Sequence, residues 1–346
     1  MANGSPSTPS SGNPGDEKTT KDAPGLSPFA LMPPLPKPMI RKVLPPLLVA
    51  PKLMLTLAWV AVYGLVASLI FHRLQIPLRN LGEEITILNG IVLGVLLVFR
   101  NNAAYDRWWE GRKLWGQLVN DSRNLALAAR SLANPPQEET REFGRILIGF
   151  AHALRMHLRG RVALNEIPGF ENDNRRPAHV PAFLAHLAHQ RIVAWRDAQR
   201  IDGFGLLRLH ELAQASMNVC GACERIRTTP LAYSYRALLR HGTVIYTMLA
   251  PIYTVAAFGP MGLPVLMLVF YFLIGVEIAA DDIEEPFGHD GDDLSLNAYC
   301  KVIESSVVEL LLAEPGREAE ARSVAAELSI PYRPSRPPEP MQADAS

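Results

Sequence analysis

The densest chemistry in the sequence is an acidic run late in the chain: Asp281, Asp282, Glu284, Glu285, Asp290, Asp292 and Asp293. Carboxylate oxygens in such number are what a hard cation such as calcium prefers. The run does not keep the EF-hand spacing, and a solvated acidic surface with helix-capping roles is the plainer account. Cys220 and Cys223 form a CxxC. With no second pair and no βαβ context they read as buried small residues rather than a zinc or redox centre. The three cysteines are an odd set without a secretory leader, which points to reduced thiols rather than a disulfide framework. His186 with His189, and His152 with His157, have loosely ligand-like spacing, but such pairs on helices are mostly packing or surface residues and no metal is assigned to them. No GxSxG, HExxH, GxGxxG or Walker A loop occurs, so no enzymatic activity is expected and no cofactor is required.

The second pattern with functional content is apolar. In GIVLGVLLVFRNNAAYDRWWEGRKLWGQL, Gly90 to Leu118, the residues Ile91, Val95 and Phe99 fall at i, i+4 and i+8 and so share one helical stripe. Gly90 and Gly94 make a GxxxG pair on an adjoining face, which lets another helix approach closely. Symmetric copies of such a helix would each contribute one stripe to a hydrophobic constriction that gates by dewetting. A stripe that merely faces lipid or core has the same spacing, so both readings stand at this point. Past Phe99, Tyr105, Trp108, Trp109, Arg112 and Trp115 continue at three- and four-residue intervals. They fit an aromatic belt at a membrane interface or a packing face on a cytosolic helix. Glu277 is the one acid inside an apolar segment. It sits near that segment's end, where it can snorkel or cap, although an acid in a membrane span is by default a functional flag.

The elements that must position these residues follow from composition. Apolar residues make up 48% of the 346 and collect in two blocks around a long charged stretch. The first block, 44–71, contains LMLTLAWVAVYGLVASLIF from Leu53; after a short polar link comes ITILNGIVLGVLLVF, Ile85 to Phe99, closed by Arg100. The first segment reaches the length of about 20 residues that a bilayer requires, and the second is shorter. Two further spans are expected at Thr243–Phe258 and Leu263–Ala280, joined by a tight turn at Gly259, Pro260, Met261 and Gly262. This gives transmembrane pairs within 39–99 and 241–280, a cytosolic helical bundle over 100–240 and a cytosolic helical region over 281–330. The bundle is interrupted near Asn134–Gln137 and Glu166–Arg176. Residues 1–38 and 331–346 are rich in proline and polar residues and are expected to be disordered. Arg41 and Lys42, Arg100 to Lys113, and Arg236 with Arg240 flank the spans so that the bundle and both termini lie in the cytoplasm; His72, Arg73 and Arg79 run against that rule. Formal charge is zero, which gives no case for nucleic-acid binding. The fold class is therefore all-α, an integral membrane protein with four transmembrane helices and a cytosolic bundle.

RNNAAYDRWWEGRKLWGQ after an apolar span, CERIRTTPLAYSY (Cys223 to Tyr235) before the third, and EEPFGHDGDDL (Glu285 to Leu294) after the fourth together resemble the bestrophin family, most closely its bacterial members. The resemblance covers roughly residues 40–310. It implies a homopentamer around a central pore in a cell membrane (the inner membrane in bacteria), passing small monovalent ions: chloride or other anions by family analogy, with cation conduction open. It places Ile91, Val95 and Phe99 in a hydrophobic neck, and Leu207 at a second, cytosolic constriction. It also matches Asp290 and Asp293 to the two side-chain ligands of a calcium clasp, with Glu285 in place of the usual Asn. Val95 departs from the family's animal channels, which carry an aromatic there, and ring edges carry partial positive charge that favours anions. The alternative function is a non-conducting membrane scaffold that binds a cytosolic partner.

Overall fold

The computed structural model describes residues 51–74, 82–160, 162–289, 292–313 and 318–327. The expectations for 1–38, for most of the link after the first span, for Asp290 and for 331–346 fall outside these residues. Every regular element among the described residues is helical.

The first apolar segment forms α1, Pro51–Leu74. Pro51 starts it, in the first turn where a missing N–H goes unused in any case. The second forms α2, Gly82–Ala128, a single helix of 47 residues and about 70 Å in length. No proline interrupts it, so the apolar segment that ends at Phe99 and the charged segment after it are one rod. It stops at a π-turn, Ala129–Ala133, with Asn134 left-handed at φ 39° and Pro135 and Pro136 next, neither of which can continue a helix.

The bundle then folds back on α2 through α3 (Gln137–Arg159), α4 (Val180–Asp197) and α5 (Gly203–Thr228). Glu138 and Glu139 open α3 and His157 and Arg159 close it, each charge sign at the end the helix dipole favours. Asp202 caps α5, its Oδ1 accepting from the Gly205 N–H at 2.7 Å, which satisfies one of the four donors a helix start leaves unpaired. The irregular stretches anticipated around Asn134 and Glu166 are both present, the second containing a 3-10 turn at Leu164–Glu166.

α6 (Tyr233–Phe258) and α7 (Gly262–Glu284) return along α1 and the apolar half of α2. Each begins or ends beyond its apolar segment: α6 starts ten residues before Thr243, and α7 runs four past Ala280. Between them lies the anticipated tight turn. Gly259 there has φ +61°, a conformation that glycine adopts without steric cost. A final pair, α8 (Leu296–Val307) and α9 (Glu318–Glu327), completes the bundle.

The two ends of the molecule bury apolar surface differently. In the bundle, Trp115, Phe143, Leu154, Leu184, Trp195, Leu209 and Ile303 belong to one core and are almost wholly buried. At the apolar end, Leu53, Leu57, Leu93, Leu97, Leu266 and Phe270 are buried between α1, α2, α6 and α7. The Tyr63 and Tyr235 hydroxyls there donate to the carbonyls of Met248 and Leu96, both at 3.0 Å. The outward residues are apolar as well: Leu55, Val62, Leu88, Val92, Val244, Ile245, Val265, Leu268 and Phe272 are all exposed. Soluble domains rarely leave so much neighbouring apolar surface uncovered. α7 and the helix containing Ile87 each hold an 18-residue window long and apolar enough to cross a membrane, and the apolar part of α1, Leu53–Ala67, is shorter.

Candidate functional site

α2 presents two faces. Leu93, Leu97, Arg100 and Ala104 point into the chain's own packing and are at most 6% exposed. At about 100° per residue, Val95 lies on the opposite side of the helix, and Ile91, Val95 and Phe99 are 60%, 51% and 61% exposed. The stripe read from the spacing is therefore an open face, unpacked within the chain. It continues past Phe99 through Asn102, Asp106, Trp109, Lys113 and Gln117, all exposed, so one uninterrupted face changes from apolar to polar within a single turn. The GxxxG pair divides. A methyl group on Gly90 would meet the Tyr246 ring of α6 at 3.3 Å, whereas one on Gly94 would meet nothing within 4 Å. Gly90 thus serves packing within the chain, and Gly94 belongs to the open side.

Where the face changes character, Arg100 is buried at 4% exposure. Its guanidinium lies 3.5 Å from Glu277 Oε1 and 4.0 Å from Glu284 Oε2, and it also pairs with Asp281. Glu277, Asp281 and Glu284 recur at i, i+4 and i+7 on α7 and so share the face turned to α2. Glu284 is itself buried; its carboxylate accepts from the Leu231 N–H at 3.3 Å and lies 3.9 Å from Arg236. A lone charge at this depth would cost several kcal/mol, and a network that supplies opposite charge and hydrogen bonds offsets it. Glu277 is accordingly an ion-pair partner rather than a snorkelling or capping residue. Sequence reasoning missed this network, although the acidic i, i+4, i+7 repeat facing an arginine that closes a span was a legible signal.

The aromatic series after Phe99 does not act as one belt. Trp115 is fully buried in the bundle core, and Trp108 donates from Nε1 to the Asp292 carbonyl at 3.1 Å. Arg112 lies 5.4 Å over the Tyr299 ring. Tyr105 and Trp109 alone of the five stay exposed, stacked 7° from parallel.

Leu207, the expected second constriction, is 70% exposed on the second turn of α5 beside Phe204 at 84%. An apolar side chain there is unpacked within the chain, as the neck residues are. Asp293 is half-buried, its carboxylate set against Gly288. It therefore offers one described carboxylate to a cation, its expected partner Asp290 lying outside the described residues.

The histidines are redistributed by the fold. His152 pairs with Glu304 of α8 inside the bundle, and His189 Nδ1 sits 3.2 Å from His210 Nδ1. His157 and His179 both hydrogen-bond Glu224 Oε1 from Nε2, at 2.6 and 2.7 Å. Burial pushes the Glu224 carboxyl up, but the two histidines together, through these hydrogen bonds and their charge, outweigh it and hold the group below its usual range. The three side chains have the reach of a metal site. However, His179 Nδ1 accepts from the Ala182 N–H at 3.0 Å as the N-cap of α4. A metal on its Nε2 would require the proton on Nδ1, facing that donor, so the trio is satisfied as a hydrogen-bonded hub without an ion. Cys220 and Cys223 are fully buried, as expected. Burial, with Glu224 adding to it, pushes the Cys220 thiol up to about 12, far from the thiolate a metal would need.

Residues 39–309 match the family described as Bacterial/Fungal Bestrophin protein. A voltage-dependent anion channel-forming protein of Ralstonia nicotianae is 35% identical over 292 residues, covering 80% of this chain and 92% of its own length. A protein of the same description from Nostoc sp. is 32% identical over 270 residues, covering 74% of this chain and 85% of its own. The crystal structure of a bacterial bestrophin homologue from Klebsiella pneumoniae has a TM-score of 0.69 at 24% identity, covering 76% of this chain and 99% of that one. Open apolar faces on α2 and α5, a buried arginine at the change of polarity and this family match agree: the chain belongs to the bacterial and fungal bestrophin family.

Proposed function

We propose that this protein is a channel that passively conducts small anions across a cell membrane. The observation that carries the proposal is the open face of α2. A helix that packs one side with Leu93 and Leu97 leaves Ile91, Val95 and Phe99 uncovered opposite them, and the face continues as a polar surface below. In a symmetric assembly, taken here as a pentamer by family analogy, such faces form a hydrophobic neck opening into a wetted vestibule. The relatives described as anion channel-forming proteins support the sign of the permeant ion. In this reading α1, the first part of α2, α6 and α7 span the membrane four times, with both termini and the bundle in the cytoplasm. Leu207 forms the second constriction. Behind the neck, Arg100 is neutralised by Glu277, Asp281 and Glu284 and ties α2 to α7 without lining the path.

Planar bilayers containing the purified full chain test this. Ohmic unitary currents are expected, with a reversal potential under a KCl gradient displaced toward the chloride equilibrium value. Silence despite verified incorporation overturns the channel, and displacement toward the potassium value overturns the anion assignment.

A further inference from the structure

A cavity of about 350 Å3 opens in the bundle where α2, α3 and α5 meet the loop that follows α7, and Arg107, Arg159 and Arg227 line it with Glu285 and His289. Each arginine comes from a different helix, and each is fixed by backbone carbonyls rather than by carboxylates. Arg107 donates to the carbonyls of Glu284, Thr229 and Ile226, Arg159 to that of Phe287 and Arg227 to that of His157. Carbonyls orient a guanidinium without cancelling its charge. Among the described residues none of the three has an ion-pair partner, in contrast to neighbouring Arg225, which Glu110 neutralises at 3.0 Å. Partial burial, and after it the repulsion of Arg155, hold Arg159 below the ordinary arginine value, against the pull of Asp293.

We propose that this cavity is a binding site for a phosphate monoester. Guanidinium forks match phosphate oxygens in geometry and hold them with charge-assisted hydrogen bonds. Three guanidinium groups face the cavity with Glu285 as the acid among its described lining residues, and Asp293 acts on Arg159 from beside Gly288. The lining so keeps a net positive charge that a phosphate monoester, at about −1.5 to −2 at pH 7, offsets. The volume exceeds a bare phosphate ion and lies at the lower end of small-molecule pockets, roughly 300–1,000 Å3, so it suits a small phosphorylated compound. Five donors per guanidinium leave free N–H groups on all three residues after the carbonyl bonds are counted. The site is separate from the conducting face. Arg107 reaches it from the side of α2 that packs within the chain and donates to the Glu284 carbonyl at the end of α7, while Arg159 donates to the Phe287 carbonyl just beyond that end, so occupancy would stiffen the junction between α7 and the bundle.

The phosphoryl group has two possible sources, a soluble metabolite or a lipid headgroup, and the test separates them. Full-length protein in phosphatidylcholine nanodiscs is titrated calorimetrically with glycerol 3-phosphate at constant ionic strength set by chloride. Saturable binding is expected, at least about tenfold weaker in R159Q/R227Q because two charge-assisted contacts are lost. Because that variant also removes two carbonyl anchors, E285Q is the control that leaves them intact; removing the opposing charge in the cavity lining should tighten binding. The same titration in nanodiscs containing phosphatidic acid identifies the source: competition means a lipid headgroup, and unchanged binding means a soluble ester. The proposal is overturned if no saturable binding above chloride occurs, or if affinity is the same in wild type, R159Q/R227Q and E285Q. Current recordings play no part in this readout, so its failure is distinguishable from failure of the channel reading.

Discussion

Leu93 and Leu97 are at most 6% exposed, whereas Ile91, Val95 and Phe99, two residues away on the same helix, are at least half exposed. Both sets are apolar and both sit in one uninterrupted rod, yet only the first is spent on the chain's own packing. Against hydrocarbon chains the hydrophobic effect does not distinguish the two sides, so the association of α2 with α6 and α7 rests on van der Waals fit and on the Arg100 network. The open side is then free to be shaped for another purpose. Further down, the same division persists with different chemistry: Trp115 is enclosed in the bundle while Asn102, Asp106 and Lys113 stay open. One side of the helix is thus given to packing along its length, and the other stays uncovered.

The largest test of this division is Arg100→Met. It leaves Glu277 and Asp281 without their ion-pair partner and Glu284 with Arg236 alone, and should destabilise the detergent-solubilised protein by about 3–5 kcal/mol. Thermal unfolding indistinguishable from wild type would mean that the network does not hold α2 to α7. Next, Leu97→Ala on the packed side should cost about 2 kcal/mol, the low end for such truncations, because the unfolded reference in a lipid-like medium also keeps leucine out of water. Phe99→Ala and Val95→Ala make the complementary pair. On the open side they should shift stability by less than about 1 kcal/mol while raising single-channel conductance or open probability. Unchanged currents in both would remove the stripe from the ion path, and a loss of stability equal to that of Leu97→Ala would erase the difference between the faces.

The smallest effect concerns Asp121, in the polar half of α2. Its Oδ2 is buried without a hydrogen-bond partner among the described residues. Burial raises its carboxyl above the usual 3.8, with a hydrogen bond from Gln117 opposing. An acid raised by folding weakens the fold as pH climbs through the folded value, and that penalty is absent below the unfolded one. Asp121→Asn should therefore stabilise the protein at pH 7, by well under about 1 kcal/mol because much of the group is solvated. The gain should vanish as the pH approaches 4. Melting curves of both proteins between pH 4 and 8 check the sign, and a gain that grows toward low pH would contradict it.

Much of the site could be read before any coordinates. The 3.6-residue repeat that puts Ile91, Val95 and Phe99 on one stripe is a property of the helix itself, and so is the tight turn that Gly259 makes. The extent of α2 was partly legible, since nothing between Gly82 and Ala128 breaks a helix, although the change from apolar to charged residues suggested a boundary. The partners of Arg100 were less accessible. They lie more than 170 residues away in sequence, and only packing shows that the acidic face of α7 is turned toward α2. The aromatic series shows the limit most clearly: Trp108, Trp109 and Trp115 read as one group, and neighbouring elements sort them into a loop contact, an exposed stack and a core residue.

By itself the sequence determined the helical class, the apolar segments and the stripe, because these depend on local periodicity and composition. Tertiary structure decided that the stripe is the uncovered side, that Gly90 packs while Gly94 does not, and that Arg100, Arg107, Arg159 and Arg227 are held in two quite different electrostatic settings. Which side of a helix is covered, and whether a guanidinium meets a carboxylate or a carbonyl, depends on residues distant in the chain. No local pattern encodes that proximity.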